Sequence, residues 1–532
     1  MTRSTSFLRY ALSLPFVLCI VFAASATDVT TYHNDIARSG QNLQETILTL
    51  NNVNSSNFGK LLTMSVDSVV DAEPLYLYQL AVPGQGTHNV VYVETENDSA
   101  YAFDADTGTQ LWHTSVLGSG EQPSDIHNCS QITPTIGITS TPVIDRKLGP
   151  HGTIILVAMS KDSSSNYYQR IHALDAATGK EQPGSPITVQ AKYPGTGDGS
   201  QGGYVIFDPY QYAERAGLLL LNHVVYTGWT SHCDERPYTG WVIGYSEKNG
   251  AQTSVIDLTP NGNEGSVWQA GGGLSSDGSN IYLLDANGTF DTTLNSQGFP
   301  SSGDFGNGFL KLSTTNNNLA VADYFEMYNT VQESDSDEDL GSGGEIVLPT
   351  MKDGNGNPQE LAIGAGKDSN IYIVNRSNMG KFNPSNDNAI YQEIDGVLSG
   401  GIWGAPAYYG GNIYYGPVSN NLLGFRFTQA KLSTSPLSAT TTSFPYPGTT
   451  PSISANGASN GIVWAIEHSS PSVLHAYNAE NLKQELYNTN QAPNGRDQFG
   501  SASHFGTPMI VNGKVYVGTS TSVVVFGLLS GK

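Results

Sequence analysis

Apolar residues recur along the chain in short runs that alternate with polar turns, and helical spacing of apolar positions is almost absent. One unit repeats: an apolar strand, a turn, a strand of the V/I-Y-V type, a polar loop, a third strand and another turn. The second strands of these units cover residues 90–95, 153–160, 223–229, 280–286, 360–366, 412–417, 461–467 and 514–519. The pattern therefore predicts eight small antiparallel sheets.

A single sheet of this kind cannot bury both faces, so neighbouring sheets must stack, and a closed ring leaves no long free edges. We therefore predict an all-β chain that folds as an eight-bladed β-propeller of four-stranded antiparallel sheets. A seven-bladed ring is the alternative, because the fourth and fifth units carry long insertions. The last unit stops at VVVFGLLSGK without an outer strand, and FGKLLTMSV (58–66) is predicted to supply it. Residues 58–532 then form one propeller domain, preceded by an N-terminal extension at residues 27–57.

The first 26 residues have the three-part pattern of a secretory signal peptide. Arg3 and Arg9 precede an apolar run that ends at Ala24-Ser25-Ala26. The run is short for a membrane span, and no later segment is long and apolar enough to supply one. We expect a secreted or periplasmic protein, cleaved after Ala26.

Composition and charge narrow the range of partners. Only 13% of the residues are charged, and 59 glycines and 28 tyrosines suit short strands joined by tight turns. Removal of the signal would move the formal net charge from −23 to −25, because it takes two arginines and no acidic residue. A chain this acidic is repelled by nucleic acid and by anionic membrane surfaces. We expect a monomer that binds neither.

The stretch YAFDADTGTQLW (101–112) has a set of residues that suits packing between sheets. Asp104 can bond backbone amides in the turn, Gly108 permits the backbone angles of the turn, and Trp112 supplies a large flat face. These roles are structural. The stretch ALDAATGKEQP (173–183) repeats the pattern but has Pro183 in place of the tryptophan.

The pattern A-x-D-x-x-T-G-x-x-x-W resembles the tryptophan-docking motif of quinoprotein alcohol dehydrogenases and of the wider superfamily of PQQ-like β-propeller repeat proteins. That resemblance implies the propeller fold. It does not imply a cofactor, since the superfamily includes non-enzymatic members such as outer-membrane assembly lipoproteins. The segments TYHNDIARSGQN, DLGSGG and TPSISANG also resemble a group of secreted bacterial propeller proteins.

The chain departs from the catalytic dehydrogenases at identifiable motifs. Many of those enzymes carry adjacent cysteines beside the quinone, and this sequence has no Cys-Cys. It also has no C-x-x-C-H haem attachment signature. A calcium-binding set of Glu, Asn and Asp cannot be assigned by motif. We therefore assign no cofactor and no metal site, and keep PQQ with calcium as the alternative.

Two cysteines, Cys129 and Cys233, follow the signal segment. In a propeller, the connections between second and third strands share a face with those from each outer strand to the next inner strand. Cys129 falls in a connection of the second type and Cys233 in one of the first type. The shared face and the expected export predict a disulfide between them, with two separate thiols as the alternative.

The same register places a set of polar and aromatic side chains around the mouth of the ring, where they could bind a ligand. From the ends of the second strands come Glu96, Lys161, His232, Asp234, Asp291, Lys367 and His468. From the starts of the inner strands come Glu73, Trp268, Trp403 and His504. A Lys or His beside a carboxylate could also perform acid-base chemistry.

Two insertions have distinctive compositions. ESDSDEDLGSGG (333–344) has aspartates at alternate positions, like the start of a calcium loop, but it lacks the glycine and distal glutamate of that motif, so we predict a solvated acidic loop. NGTFDTTLNSQGFPSSGDFGNG (287–308) is too long for a hairpin turn and is interpreted as a mobile cover or a binding loop.

These observations favour an exported propeller that binds an extracellular ligand at its loop-rich face, with a carbohydrate or a cell-envelope protein as partner; a small molecule is also compatible with the mouth. One alternative is a quinoprotein dehydrogenase of alcohols or sugars that uses PQQ and calcium, with the quinone stacked over Trp268 or Trp403. The other is a polysaccharide lyase or hydrolase with His232, Lys367 or His504 beside Glu96 or Asp234. Fold alone does not decide among them.

Overall fold

A computed structural model describes residue 1 and residues 27–529 of the chain. The predicted signal segment lies outside the described residues, apart from Met1. The described part is almost entirely β, with 45% strand and 4% helix, so the all-β prediction is confirmed. It contains eight sheets of four or five strands, and the predicted second strand of each repeat unit is the second strand of one sheet.

The first four sheets follow one another along the chain. Sheet 1 contains Leu75–Val82, Gly86–Thr95, Ser99–Asp104 and Gln110–Ser115. Sheet 2 contains Val143–Asp145, Thr153–Asp162, Tyr167–Asp175 and Ile187–Thr188, with Glu121–Pro123 beside Thr153–Asp162. Sheet 3 contains Ala213–Glu214, Leu219–Leu221, Val224–Thr230, Trp241–Ser246 and Gln252–Asp257. Sheet 4 contains Ser275–Ser276, Asn280–Leu284, Phe309–Ser313 and Ala320–Phe325.

The second half repeats the arrangement. Sheet 5 contains Glu345–Val347, Leu361–Gly364, Ile371–Asn375 and Gln392–Ile394. Sheet 6 contains Ala407–Tyr409, Asn412–Tyr415, Asn420–Thr428, Lys431–Leu432 and Ser438–Phe444. Sheet 7 contains Ser452–Asn456, Ser459–Glu467, Val473–Asn478 and Asn481–Asn488, with Gln41–Asn42 parallel to the first of these. Sheet 8 contains Met509–Val511, Lys514–Gly518, Ser522–Leu528 and Phe58–Ser65.

The N-terminal strand Phe58–Ser65 is the outer strand of sheet 8, where it pairs antiparallel with Ser522–Leu528. The sequence predicted this pairing, and it is confirmed. Joining the two ends of the chain in one sheet removes the free edge that sheet 8 would otherwise leave.

The core is divided into apolar clusters that lie between successive sheets. Sheets 8, 1 and 2 share one cluster, and the six further boundaries from sheets 2 and 3 round to sheets 7 and 8 each hold their own. Alternating apolar residues on both faces of each sheet are therefore buried against two neighbours. The sheets form a closed ring.

Residues 29–42, here called the plug, lie across the central channel. They hydrogen-bond at or next to the first strand of every sheet, with partners Tyr76, Ile144, Leu218, Ser276, Val347, Tyr408, Ile453 and Ile510 in sheets 1 to 8. Just beyond the plug, the Glu45 carboxylate accepts from the Gly513 amide in the turn between the first two strands of sheet 8. That turn belongs to the face opposite the mouth, so the segment that follows the plug reaches that face.

Helices are short and confined to connections. The α-helix Thr330–Asp335 follows sheet 4, and single 3-10 turns occupy Thr315–Asn317, Leu340–Ser342, Thr489–Gln491 and Pro493–Gly495. Two small sheets lie in connections outside the eight sheets of the ring. One contains Lys192–Pro194, Ser200–Gln201 and Tyr204–Ile206. The other contains Met351–Lys352 and Pro358–Gln359. Across residues 27–529, the helices lack the length and apolar character that crossing a bilayer requires.

Candidate ligand-binding site

A cavity of about 220 Å³ opens at the mouth between connections of sheets 1 to 6, and it is here called the mouth cavity. Its walls contain four of the residues predicted from the sequence, Asp234, Trp268, Lys367 and Trp403, together with both cysteines. The other lining residues are Gln131, Thr230, Ser231, Ser266, Ala286, Asp337 and Asp339. The structure thus brings together residues that are up to 274 positions apart, as Cys129 and Trp403 are.

Cys129 and Cys233 form a disulfide, with their Cα atoms 5.5 Å apart. The bond joins the long connection between sheets 1 and 2 to the loop between the second and third strands of sheet 3. Both cysteines lie in loops on the same face, as the strand register predicted. The disulfide therefore holds one wall of the mouth cavity.

Lys367 is the cation of the cavity wall. Its Nζ lies 2.6 Å from Oδ1 of Asp339 and 2.5 Å from Oδ1 of Asp337. Burial alone would lower the pKa of Lys367, but the two carboxylates outweigh it and the pKa is raised. Burial raises the pKa of Asp339 to about 6, although Lys367 opposes the shift. The ammonium of Lys367 therefore stays charged throughout the neutral range.

The acidic insertion corrects one prediction. Asp337 is exposed, as a solvated loop requires, but the Asp339 side chain is only 4% exposed. Residues 330–335 are helical, and Glu333 is buried, where desolvation raises its pKa to about 8. Sequence spacing could not reveal this, because the partner that draws Asp339 inward, Lys367, belongs to another sheet.

Asp234 presents a carboxylate without a cationic partner among the described ion pairs. Its Oδ1 accepts hydrogen bonds from the Tyr238 hydroxyl at 2.7 Å and from the Ser231 hydroxyl at 3.3 Å. Cys233 and Asp234 both have left-handed backbone angles, with φ of 49° and 56°. The loop bends sharply at the disulfide and carries Asp234 to the cavity.

Two tryptophans form aromatic walls of the cavity. The Trp268 ring meets Phe505 edge to face at 5.8 Å between centroids, and Trp403 meets Tyr446 in the same way at 5.8 Å. Lys367 Nζ lies 5.9 Å from the centroid of Trp403. The packed neighbours fix both indole rings in place, so their remaining faces are available as rigid stacking surfaces.

A second cavity of about 140 Å³ lies beside the first and contains Glu96 and His504 with Asp71. Gln131 lines both cavities, and its Oε1 accepts from the Tyr446 hydroxyl at 2.7 Å. Burial and the neighbouring Asp71 raise the pKa of Glu96 to about 10. The Glu96 carboxyl is therefore protonated at neutral pH and can donate a hydrogen bond, which the sequence alone did not indicate.

His468 occupies a narrow cleft with Trp403 and His504. Burial and the nearby His504 lower the pKa of His468 to about 4. The ring is neutral at physiological pH. It adjoins the mouth cavity through Trp403 but does not line it.

His232 and Lys161 belong to an aromatic cluster behind the disulfide. The His232 ring stacks on His127 at 4.2 Å, and burial together with His127 lowers the pKa of His232 to about 3. Lys161 Nζ pairs with Asp125 at 2.7 Å. Neither residue lines the mouth cavity. His127 was not predicted from the sequence as a site residue. The only signal that could have indicated it is its position two residues before Cys129.

Asp291 and Glu73 also lie outside the mouth cavity. Asp291 accepts from the backbone amides of Thr293 and Ser302, so it organises its own loop. That loop packs Phe290 and Phe305 into the core beside Tyr324. Glu73 is buried, and its Oε2 accepts from the His33 amide at 2.7 Å, which anchors the plug.

Among residues 27–529, one group of three side chains has the spacing of metal ligands: Asp145, His223 and Glu247, whose ligand atoms all lie within 4.8 Å of one another. These residues follow first strands or third strands, so they lie at the face opposite the mouth. No such group occurs at the mouth cavity within the described residues.

The comparisons with known proteins bear on the fold. Neither family models nor curated protein sequences gave a match. A solved quinohemoprotein alcohol dehydrogenase from Comamonas testosteroni is 14% identical, with a TM-score of 0.58 over 95% of this chain and 81% of that one. One from Pseudomonas putida HK5 is 12% identical, with a TM-score of 0.58 over 95% of this chain and 81% of that one.

A europium-containing methanol dehydrogenase is 12% identical, with a TM-score of 0.60 over 94% of this chain and 98% of that one. At these identities the likeness is one of fold. It agrees with the resemblance carried by Ala102, Asp104, Thr107, Gly108 and Trp112. The chain thus has the β-propeller fold of the PQQ-dependent dehydrogenases.

Proposed function

We propose that the protein is exported and binds a carbohydrate in the mouth cavity. The observation that carries the proposal is the pairing of two fixed tryptophan faces, Trp268 and Trp403, with the polar groups of Asp234 and Lys367 around one cavity. Sugar rings present apolar C–H faces that stack on indole, and their hydroxyls both donate to carboxylates and accept from ammonium groups. A cavity of about 220 Å³ suits one or two sugar rings at the end of a longer chain.

The charges of the cavity indicate which carbohydrates are preferred. Asp234, Asp337 and Asp339 outnumber the single cation Lys367. Burying a further carboxylate beside them would be costly, because like charges at close range repel strongly in a partly desolvated site. Neutral and amino-sugar glycans are therefore favoured over uronate-rich glycans. The disulfide between the loops supports an oxidising location, outside the cytoplasm.

The test is a glycan array with the purified full chain, followed by isothermal titration calorimetry with each glycan that binds. Trp268→Ala and Trp403→Ala should each weaken binding at least tenfold, because each removes a stacking face. Tyr328→Ala is the control, since Tyr328 is an exposed aromatic that does not line the cavity. The proposal fails if folded protein binds no glycan, or if both tryptophan variants bind as tightly as the control.

A second proposal is oxidation of an alcohol or sugar with PQQ and calcium. Two observations favour it: the solved dehydrogenases share the fold, and a disulfide lies with Trp268 in the wall of one cavity. The charges do not fit, because PQQ carries three carboxylates and the cavity offers one lysine that is already paired with two aspartates. No three-residue metal-ligand group lies at this cavity among the described residues.

A titration with PQQ, with and without calcium, separates the two proposals. Carbohydrate binding predicts no saturable change in absorbance or in melting temperature with PQQ. Saturable stabilisation that needs calcium and is lost in Trp268→Ala would establish the second proposal instead and direct substrate screens to alcohols and sugars.

A further inference from the structure

Trp112 fills the boundary between sheets 1 and 2. Its indole nitrogen donates to the carbonyl of Ala176 at 3.0 Å, and a Cβ added to Gly179 would lie 2.5 Å from Cε3 of the ring. Gly179 has a φ of 67°, which glycine adopts freely. The turn at residues 175–179 is therefore a receiving surface shaped for an indole ring.

The boundary between sheets 2 and 3 has the same receiving turn but no tryptophan. Gly250 has a φ of 67°, and its amide donates to the Ser246 carbonyl at 2.9 Å, just as the Gly179 amide donates to Asp175 at 2.8 Å. In sheet 2, however, the position that corresponds to Trp112 is Pro183. The side chain that lies over Gly250 is the smaller Ile187, since a Cβ added to Gly250 would lie 2.4 Å from its Cγ1. Ile187 fills less space than an indole ring would.

A cavity of about 220 Å³ lies at this place, lined by Pro183 on one side and by Glu247 and Gly250 of the receiving turn on the other. Ile171 and Val225 contribute to its apolar wall. Apolar walls around such a volume favour a ligand that is itself largely apolar.

Two polar atoms at the cavity have unused hydrogen-bonding capacity. Among the described residues, Glu247 Oε2 and Gln182 Nε2 are buried and have no hydrogen-bond partner. Both residues line the cavity, and Glu247 is only 8% exposed. Leaving such groups unpaired is costly, so a ligand that donates to Glu247 would gain affinity.

We propose that this cavity binds a flat aromatic heterocycle with a ring N–H, of the indole class. The ring would lie in the cavity between Pro183 and Ile187 on one side and the receiving turn on the other, with its N–H directed to the carbonyl or the carboxylate of Glu247. The site is separate from the mouth cavity, and its function does not depend on the proposed carbohydrate binding.

Indole itself is the probe, added to the purified full chain in a thermal-shift experiment and in calorimetry. A saturable rise in melting temperature is expected, since a ligand that binds only the native state stabilises it. Pro183→Trp should fill the cavity and abolish the response to indole. Ala173→Leu fills part of the cavity from within a strand and should weaken the response to indole. This variant is the alternative test if Pro183→Trp fails to fold.

Trp112→Ala provides the control, because it opens a space of indole size at the boundary of sheets 1 and 2. Indole should recover stability in this variant and bind with two equivalents, against one for the unaltered chain. The proposal is overturned if indole stabilises Trp112→Ala but leaves the unaltered chain unchanged. It is equally overturned if Pro183→Trp and Ala173→Leu both fold and bind indole as the unaltered chain does.

Discussion

The ammonium of Lys367 lies 2.6 Å from Oδ1 of Asp339, a carboxylate that is almost completely buried. Lys367 follows the second strand of sheet 5, and Asp339 lies within the acidic insertion that connects sheets 4 and 5. The pair thus fastens an insertion to the wall of the mouth cavity. The contribution of this ion pair to the free energy of unfolding depends mainly on the burial of Asp339, since Lys367 keeps part of its side chain in water.

Lys367→Met should lower the free energy of unfolding by about 2 to 3 kcal/mol at neutral pH, because it leaves the buried Asp339 without a counter-charge. Urea denaturation measures the change. In the double variant Lys367→Met/Asp339→Asn, much of the loss should be recovered. Lys161→Met is the control and should cost less than about 1 kcal/mol, since its partner Asp125 is 48% exposed. Equal losses in both single variants would contradict the expectation.

The protein should be more stable at pH 5 than at pH 8.5. Burial raises the pKa of Glu73, Glu94 and Glu214 to about 8 and that of Glu345 to about 7, all from an ordinary value near 4.5. The native state therefore holds these protons more tightly than the unfolded chain does. Their contribution is fully present below pH 4.5 and is lost as the pH rises toward 8. Urea midpoints measured at pH 5, 7 and 8.5 should fall in that order.

Glu94→Gln should make this pH dependence shallower. Neither carboxyl oxygen of Glu94 has a hydrogen-bond partner among the described residues, and burial is the cause of its raised pKa. Replacing this one titrating carboxyl should reduce the slope of the unfolding free energy against pH by up to about 1.4 kcal/mol per pH unit between pH 5 and 8. Glu480→Gln, at an exposed position, is the control. An unchanged slope in Glu94→Gln would show that Glu94 does not titrate as its burial implies.

The disulfide should be worth about 3 to 5 kcal/mol, because it closes a loop with a sequence separation of 104 residues. Cys129→Ser/Cys233→Ser should lower the unfolding midpoint by a corresponding amount. Reductant should lower the midpoint of the unaltered chain to the same level and leave the double variant unchanged. If reductant lowered the unfolding midpoint of the double variant by the same amount, the effect of reductant would not come from this disulfide and the prediction would be wrong.

Arg38→Met should destabilise the protein by at least about 3 kcal/mol, because it leaves buried acceptors unpaired. The Arg38 side chain donates to the carbonyls of Leu274 at 2.8 Å and Leu218 at 2.7 Å, and is fully buried. Arg146→Met is the control: Arg146 also contacts the N-terminal segment, through Asp28, but both side chains are partly exposed and the cost should stay below about 1 kcal/mol. Chemical denaturation measures the free energy of unfolding of both variants, and equal losses would contradict the prediction.

The sequence predicted the features that depend on local pattern. The repeat of V/I-Y-V strands located the second strand of each sheet, and the register placed Cys129 and Cys233 on one face. Register also brought Asp234, Trp268, Lys367 and Trp403 to one cavity, because each of them lies in a connection between strands on the face of the mouth. Such positions are determined by the propeller topology itself.

Features that depend on contacts between distant segments were not predictable in this way. Asp339 was expected to be solvated, and only the position of Lys367 in the folded ring explains its burial. The residues between 27 and 57 were expected to form an extension, and nothing in their spacing indicates that Arg38 reaches sheets 3 and 4. Asp291 was grouped with the mouth because it follows a second strand, but its loop turns away and uses the carboxylate internally.

The plug also constrains the order in which the protein can assemble. Residues 29–42 are synthesised before any sheet exists, yet their partners include Ile510, which is made almost last. The outer strand Phe58–Ser65 must likewise wait for Ser522–Leu528. The plug can contact sheets 1 and 2 early, but it cannot complete its contacts with all eight sheets until synthesis is nearly complete. Docking of the plug therefore cannot be completed before the last strands of the chain have been made.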